Sequence, residues 1–279
     1  MAEEIAKGAL YVVPTPIGNR ADITLRAVDI LRGVDFVCAE DTRVSGKLLS
    51  MYDIRAEFVS YHEHNRVSQG KYILGRLQNG ESAAIVTDAG TPAVSDPGEG
   101  LVALCRENGI PVVPLPGACA AITALSGSGF PSRRFVFEGF LPQDKKECGE
   151  VLQSLKNETR TVILYEAPHR VVKTVKLLYD TLGDRDVCAA RELTKINEEF
   201  TRTTLSGLLE IWQTKEPRGE YVLLLGGAKT SDEPPFYENM TIAEHVAFYE
   251  AQGLSRMDAM KACASDRGIG KNAVYKALL

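Results

Sequence analysis

Short apolar runs alternate with stretches of helical periodicity through residues 1–130. Segments 9–13, 34–39, 56–59, 83–87 and 112–115 are apolar, rich in β-branched residues and bounded by turn formers, which predicts buried strands. Between them, 22–31, 44–51, 67–78 and 98–107 place apolar residues three to four apart and predict helices, and 118–126 predicts a further helix closing this half. Strand–helix alternation implies right-handed crossovers and a mostly parallel sheet covered by helices.

Residues 127–130 and Pro131 interrupt the pattern. Strands are then predicted over 135–140, 161–165, 187–191, 200–205 and 221–225, with helices over 147–156, 171–181 and 208–214. Several of these strands follow one another without a helix, so the second sheet should be mixed. The polar, Pro-rich stretch 228–239 has the composition of a linker. Three helical patterns follow, over 241–251, 255–266 and 272–278, the last pair flanking Gly268-Ile269-Gly270 in the manner of a helix-turn-helix. The expected organisation is therefore an N-terminal α/β domain over 1–130, a second α/β domain over 131–228 and a helical tail over 240–279.

Composition narrows the classes. The 279 residues are 44% hydrophobic and 25% charged, a globular balance that excludes disorder, collagen and coiled coil. The longest apolar runs, such as 221–225, fall far short of the ~20 residues that span a bilayer, so no membrane association is expected. The first residues, Met-Ala-Glu-Glu-Ile, carry acids where a signal peptide carries bases, which points to the cytoplasm. Six cysteines (38, 105, 119, 148, 188 and 263) contain no Cys-x-x-Cys, so neither disulfides nor a metal site is expected. A net charge of −5 argues against a protein coated in nucleic acid but leaves room for a local basic groove.

Three motif-like strings carry little. Gly98-Glu-Gly100 follows a Pro-containing loop and lacks the acid that a dinucleotide site needs about 20 residues on. Gly46-Lys47 lacks the upstream glycine of a P-loop, and His62-Glu63-His64 does not put two imidazoles on one helical face. Four loops are more informative, because each follows a predicted strand, where open α/β sheets place ligands. They are 14–19, 87–98, 114–121 and 165–170, all small, rigid and Pro- or Gly-bearing. Together they suit a flat ligand gripped by backbone atoms, such as adenine joined to a sulfonium centre.

At these loops the chain resembles a known family. The strings VPTPIGN (13–19), AEDTR (39–43), TDAGTP (87–92), SDPG (95–98), PLPGACAAITALS (114–126), FEGFLP (137–142), YEAPHR (165–170), ARELTK (190–195) and KNAVYKALL (271–279) are similar, in order, to the ribosomal RNA small subunit methyltransferase I family. That family belongs to the S-adenosylmethionine-dependent tetrapyrrole-methylase superfamily. The resemblance implies two α/β domains of the class III methyltransferase type with the cofactor in the cleft between them, a homodimer, and 2′-O-methylation of a cytidine ribose in the decoding region of 16S rRNA. The implied partner is thus 16S rRNA or the small ribosomal subunit. Pro16-Ile-Gly-Asn19 lacks the acid of the tetrapyrrole enzymes' Pro-Gly-Asp, and Ala89-Gly-Thr-Pro92 stands where they have Gly-Gly-Asp-Pro, which counts against a porphyrinoid substrate.

By frame, the implied cofactor contacts are Ile17 and Gly18 in the first loop and Asp88, Gly90, Thr91, Val94, Ser95 and Asp96 in the second. The third loop adds Pro116, Gly117, Ala118, Cys119 and Ala120; Tyr165, Glu166 and Thr194 complete the set. Methyl transfer to a hydroxyl also needs a proton acceptor. Asp41 is the first candidate because it follows the second strand on the ligand edge, its alternative role being a cap on the helix near Val44. Glu166 and His169 come next. Arg43, Arg170, Lys271 and Lys276 are candidates for holding RNA phosphates. The alternatives are a tetrapyrrole or protein methyltransferase of the same fold, and a non-catalytic RNA-binding assembly factor.

Overall fold

The computed structural model describes residues 4–229 and 236–278, so Pro234 and Pro235 of the expected linker lie outside the described residues. The chain divides into two compact units, Met1–Ala228 and Lys229–Leu279, and both sheets belong to the first. Among the described residues no helix is long and apolar enough to cross a membrane.

The first sheet contains β1 (Leu10–Val12), β2 (Phe36–Ala39), β3 (Glu57–Ser60), β4 (Ala83–Val86) and β5 (Val112–Pro114) in the order β3-β2-β4-β1-β5, all parallel. Its crossovers are α1 (Leu25–Gly33), α2 (Thr42–Ser50), α3 (Arg66–Gln78) and α4 (Glu99–Glu107). Every residue of β1, β2 and β4 is buried. One face packs Tyr11, Val37 and Ala84 against Ile30 of α1; the other packs Leu10, Phe36 and Ile85 against Ile73 of α3 and Leu101 of α4. Burial on both faces is why these strands read as unbroken apolar runs rather than alternating ones. Parallel strands also bring all the segments that follow them to one edge of the sheet.

Local chemistry trims the expected helices. Thr24 caps α1 by accepting from the Ala27 N–H at 3.0 Å, so Asp22 falls instead in a short 3-10 turn, Arg20–Asp22, capped by Asn19.

The second sheet contains β6 (Phe135–Phe140), β7 (Thr161–Glu166), β8 (Asp186–Arg191), β9 (Glu199–Thr204) and β10 (Tyr221–Leu225) in the order β6-β7-β10-β8-β9. Only β6 and β7 run parallel; the other pairings are antiparallel. One face packs Val162, Leu164 and Leu223 under α6 (Lys145–Leu155), α7 (Pro168–Leu182) and α8 (Leu205–Thr214). The other face takes α5 (Ala120–Ser128), whose Ala121, Ala124 and Leu125 pack on Ile163, Cys188, Ala190 and Val222. This helix follows β5 in sequence, yet it buries its face on the second sheet rather than closing the first. Its alanines allow the close approach, and the third loop is thereby held between the sheets.

The second unit packs α9 (Ile242–Ala251), α10 (Arg256–Asp266) and α11 (Lys271–Ala277) around Val246, Met260, Cys263 and Val274. Thr241 and Glu244 form a capping box on α9. His245 is fully buried and stacked on Tyr237. Its Nδ1 accepts from Arg267 Nε at 3.1 Å, which leaves Nε2 to donate to Asp266 at 3.1 Å.

Candidate active site

The ligand-edge loops are knitted to one another. Thr15 and Gly90 exchange two backbone hydrogen bonds, of 2.9 and 3.0 Å. The Thr91 hydroxyl donates to the Ala118 carbonyl at 2.9 Å, and the Ala121 N–H donates to the Tyr165 hydroxyl at 3.0 Å. Gly117 lies so close to Pro14 that a Cβ would stand 2.5 Å from the Pro14 Cβ. Gly90 adopts φ +93°, and Ala93 and Ser95 hold φ +65° and +60° in the same loop. Left-handed backbone at such residues costs on the order of 1–3 kcal/mol each and persists where surrounding contacts fix it.

Between these loops and the second sheet lies a cavity of about 410 Å³. Ile17, Asp88, Gly90, Thr91, Val94, Ser95 and Asp96 line it from the first and second loops. Cys119 and Ala120 line it from the third loop, and Tyr165 and Glu166 from the end of β7. The structure thus brings most of the expected cofactor residues together. Pro116, Gly117 and Ala118 do not line the cavity; Ala118 acts behind the wall by taking the Thr91 hydrogen bond. Gly18 and Thr194 line a neighbouring recess, where the Asn19 N–H donates to Thr194 Oγ1 at 2.9 Å.

The three proposed proton acceptors are placed differently. Asp41 caps α2, accepting from the Arg43 N–H at 2.8 Å and from Arg43 Nε and Nη2 at 3.0 and 2.7 Å. Those hydrogen bonds from Arg43 hold its carboxyl far below the usual range, and it does not line the cavity. The Glu166 side chain is fully buried; Oε1 accepts from the Ala167 N–H at 2.9 Å and faces Arg170 Nε at 3.3 Å, while Oε2 accepts from the Thr174 hydroxyl at 2.6 Å. Arg170 also donates to the Leu141 carbonyl at 3.1 Å, whereas His169 is exposed on α7. Arg43 is exposed beside its pair with Asp41, and Lys271 and Lys276 lie on α11 of the second unit.

Residues missed from sequence complete the wall: Glu40, Phe140, Ala167, Leu193, Tyr221 and Val222 among them. Glu40, Asp88 and Asp96 share this one space. Burial, then the neighbouring Asp88, pushes the Glu40 carboxyl up; burial likewise raises Asp88. Asp96 is pushed up to about 6, first by burial and further by Glu40 and Asp88, with the nearby Thr87 hydroxyl offsetting part of the rise. A carboxyl raised on folding contributes stability at low pH that is lost as pH climbs through about 6. Asp96→Asn should therefore stabilise the protein at about pH 8 relative to about pH 5, by on the order of 1 kcal/mol after allowance for partial solvent exposure. Thermal melts of both proteins at the two pH values check this, and equal shifts at both would contradict it.

Residues 9–209 match the family model for tetrapyrrole (corrin/porphyrin) methylases. The chain is 45% identical over 273 residues to ribosomal RNA small subunit methyltransferase I of Bacillus subtilis, covering 97% of this chain and 94% of that protein. It is also 45% identical over 270 residues to the protein of the same name from Synechocystis, covering 96% of each. Among solved structures, uroporphyrin-III C-methyl transferase from Thermus thermophilus, complexed with S-adenosyl homocysteine, superposes with a TM-score of 0.56 at 19% identity, over 78% of this chain and 97% of that one. That likeness concerns the fold alone. From its matched domain and its near-full-length relatives, the chain belongs to the tetrapyrrole methylases and, among them, to the ribosomal RNA small subunit methyltransferase I family.

Proposed function

We propose that this protein transfers a methyl group from S-adenosylmethionine to the 2′-oxygen of a cytidine ribose in the decoding region of 16S rRNA. The observation that carries the reading is the cavity, lined by residues from all four loops, in a chain so similar over its length to proteins named for small-subunit rRNA methylation. Its volume falls in the range of about 300–1,000 Å³ that suits small ligands.

The residues present fit the cofactor. At Gly90 the backbone carries no Cβ, and one built there would lie 3.4 Å from Ile17 Cγ2. Ile17, Val94, Tyr165 and Val222 offer apolar surface to a flat ring, and the acidic rim of Glu40, Asp88 and Asp96 suits a cationic sulfur. When bound, S-adenosylmethionine supplies an electrophilic methyl group. The chain's own part is to hold ligands in register, which in favourable cases is worth about 7–11 kcal/mol of barrier.

Incubation with labelled S-adenosylmethionine and, separately, unmodified small subunits, free 16S rRNA and a porphyrinoid tests the acceptor class. Label should enter RNA, as subunit or free; label confined to the porphyrinoid would refute the reading.

Substrate docking is proposed for the second unit, where Lys271 and Lys276 stand on α11. The double variant Lys271→Glu with Lys276→Glu should weaken subunit binding and flatten its salt dependence by about two phosphate contacts, roughly 0.9 in slope for each. Calorimetric binding of S-adenosylhomocysteine should be retained. An unchanged slope in a filter-binding salt titration would remove both lysines from the substrate contact.

A further inference from the structure

Three carboxylates reach the cavity: Glu40 directly after β2, Asp88 after β4, and Asp96 farther along the same loop. Asp41 and Glu166 have their oxygens committed to neighbours, whereas among the described residues no ion pair engages Glu40, Asp88 or Asp96. Nor, among the described residues, do these acids converge as a set that could hold a metal ion. A second observation points into the same space. Thr87 is 2% exposed and lies beside both Glu40 and Asp96, yet its Oγ1 has no partner in full hydrogen-bond geometry. A buried hydroxyl left this way is uncommon in folded proteins. Thr87 itself does not line the cavity, but the two acids it stands beside, Glu40 and Asp96, both do.

We propose that Asp96 accepts the proton of the substrate hydroxyl, with Glu40, Asp88 and Thr87 as positioning residues. This rests on the methyl-transfer reading above. The hydroxyl proton passes to the Asp96 carboxylate, and the electron pair left on oxygen forms the new O–C bond. The pair of the breaking C–S bond stays on sulfur as a neutral thioether. The charge context favours Asp96 as acceptor. Glu40 and Asp88 face it from the ends of two strands, and Tyr165 faces it from β7. Farther out, His62 and Asp41 act on Glu40, and Asp41, itself paired with Arg43, acts on Asp88. Two like charges beside a partly buried carboxyl keep it basic enough to work near neutral pH.

The test compares wild type with Asp96→Asn and Glu40→Gln in single-turnover methylation of unmodified small subunits between about pH 5 and pH 9. The wild-type rate should rise about tenfold per pH unit on the acid side and then level off. At saturating S-adenosylmethionine, Asp96→Asn should lose about 100- to 10,000-fold in rate and the acid limb with it. Glu40→Gln should move the limb to lower pH, because removing a like charge makes Asp96 a stronger acid. A readout independent of turnover is carboxyl NMR of aspartate-labelled protein without ligand. The resonance missing from Asp96→Asn should titrate near 6 in wild type and lower in Glu40→Gln. An Asp96→Asn enzyme within about threefold of wild type with the same limb, or an Asp96 resonance that titrates as an ordinary aspartate, would overturn the assignment. An inactive wild type would instead overturn the methyl-transfer reading on which the assignment stands.

Discussion

Replacing Gly90 with valine should weaken S-adenosylhomocysteine binding by at least about 100-fold, equivalent to about 2.7 kcal/mol. Two independent costs add at this position. The backbone sits at φ +93°, a conformation that β-branched residues almost never adopt. The new methyl groups would also enter a lined cavity, from a Cβ already 3.4 Å from Ile17. Relaxing φ would break the paired bonds with Thr15 that hold the first loop on the second, so the protein cannot escape one cost without incurring the other. Gly75, inside α3 with nothing within 4 Å of a built Cβ, is the matched control. Gly75→Ala should retain binding and gain up to about 1 kcal/mol of stability. Isothermal calorimetry on folded Gly90→Val decides the matter; wild-type affinity would show that the loop does not grip the ligand.

Glu166→Ala should cost about 2–4 kcal/mol of folding stability, because it strands several partners at once. The Thr174 hydroxyl and the Ala167 N–H lose their acceptor inside the protein, and Arg170 loses its carboxylate. Arg170 is partly exposed and can turn to water, so its share is the smallest. Glu166→Gln keeps one amide oxygen as an acceptor and should lose less. Urea denaturation measures both, and a loss below about 1 kcal/mol in Glu166→Ala would mean that the buried carboxylate is not a structural tie.

How far the chain could be read before its structure depended on which physical rule governed each segment. The parallel strands were readable because burial on both faces leaves unbroken apolar runs. The end of β10 was not. Rules for open parallel sheets direct attention to the C-terminal ends of strands, but β10 runs antiparallel to β7 and β8, so its first residues, Tyr221 and Val222, meet the cavity. Likewise α5 reads as a helix from its spacing, whereas its partner is set by the fit of small alanines on a distant sheet. Within Ala39-Glu-Asp-Thr-Arg43 the position after the strand was visible, but the division of labour was not. Asp41 turns to the helix start and Arg43, and Glu40 lines the cavity. Thr87, the first residue of the TDAGTP string, carries no sequence signal for a buried hydroxyl set beside two acids, since that depends on where Glu40 and Asp96 stand.

The most direct measurement is the chemical position of the transferred methyl. Small subunits methylated in vitro are extracted, the 16S rRNA is digested to nucleosides, and the product is fragmented by mass spectrometry. The methyl should remain with the sugar of a cytidine, and the protein should need only S-adenosylmethionine as donor. A methyl found on the nucleobase, or on a ribosomal protein instead of RNA, would contradict the proposed reaction.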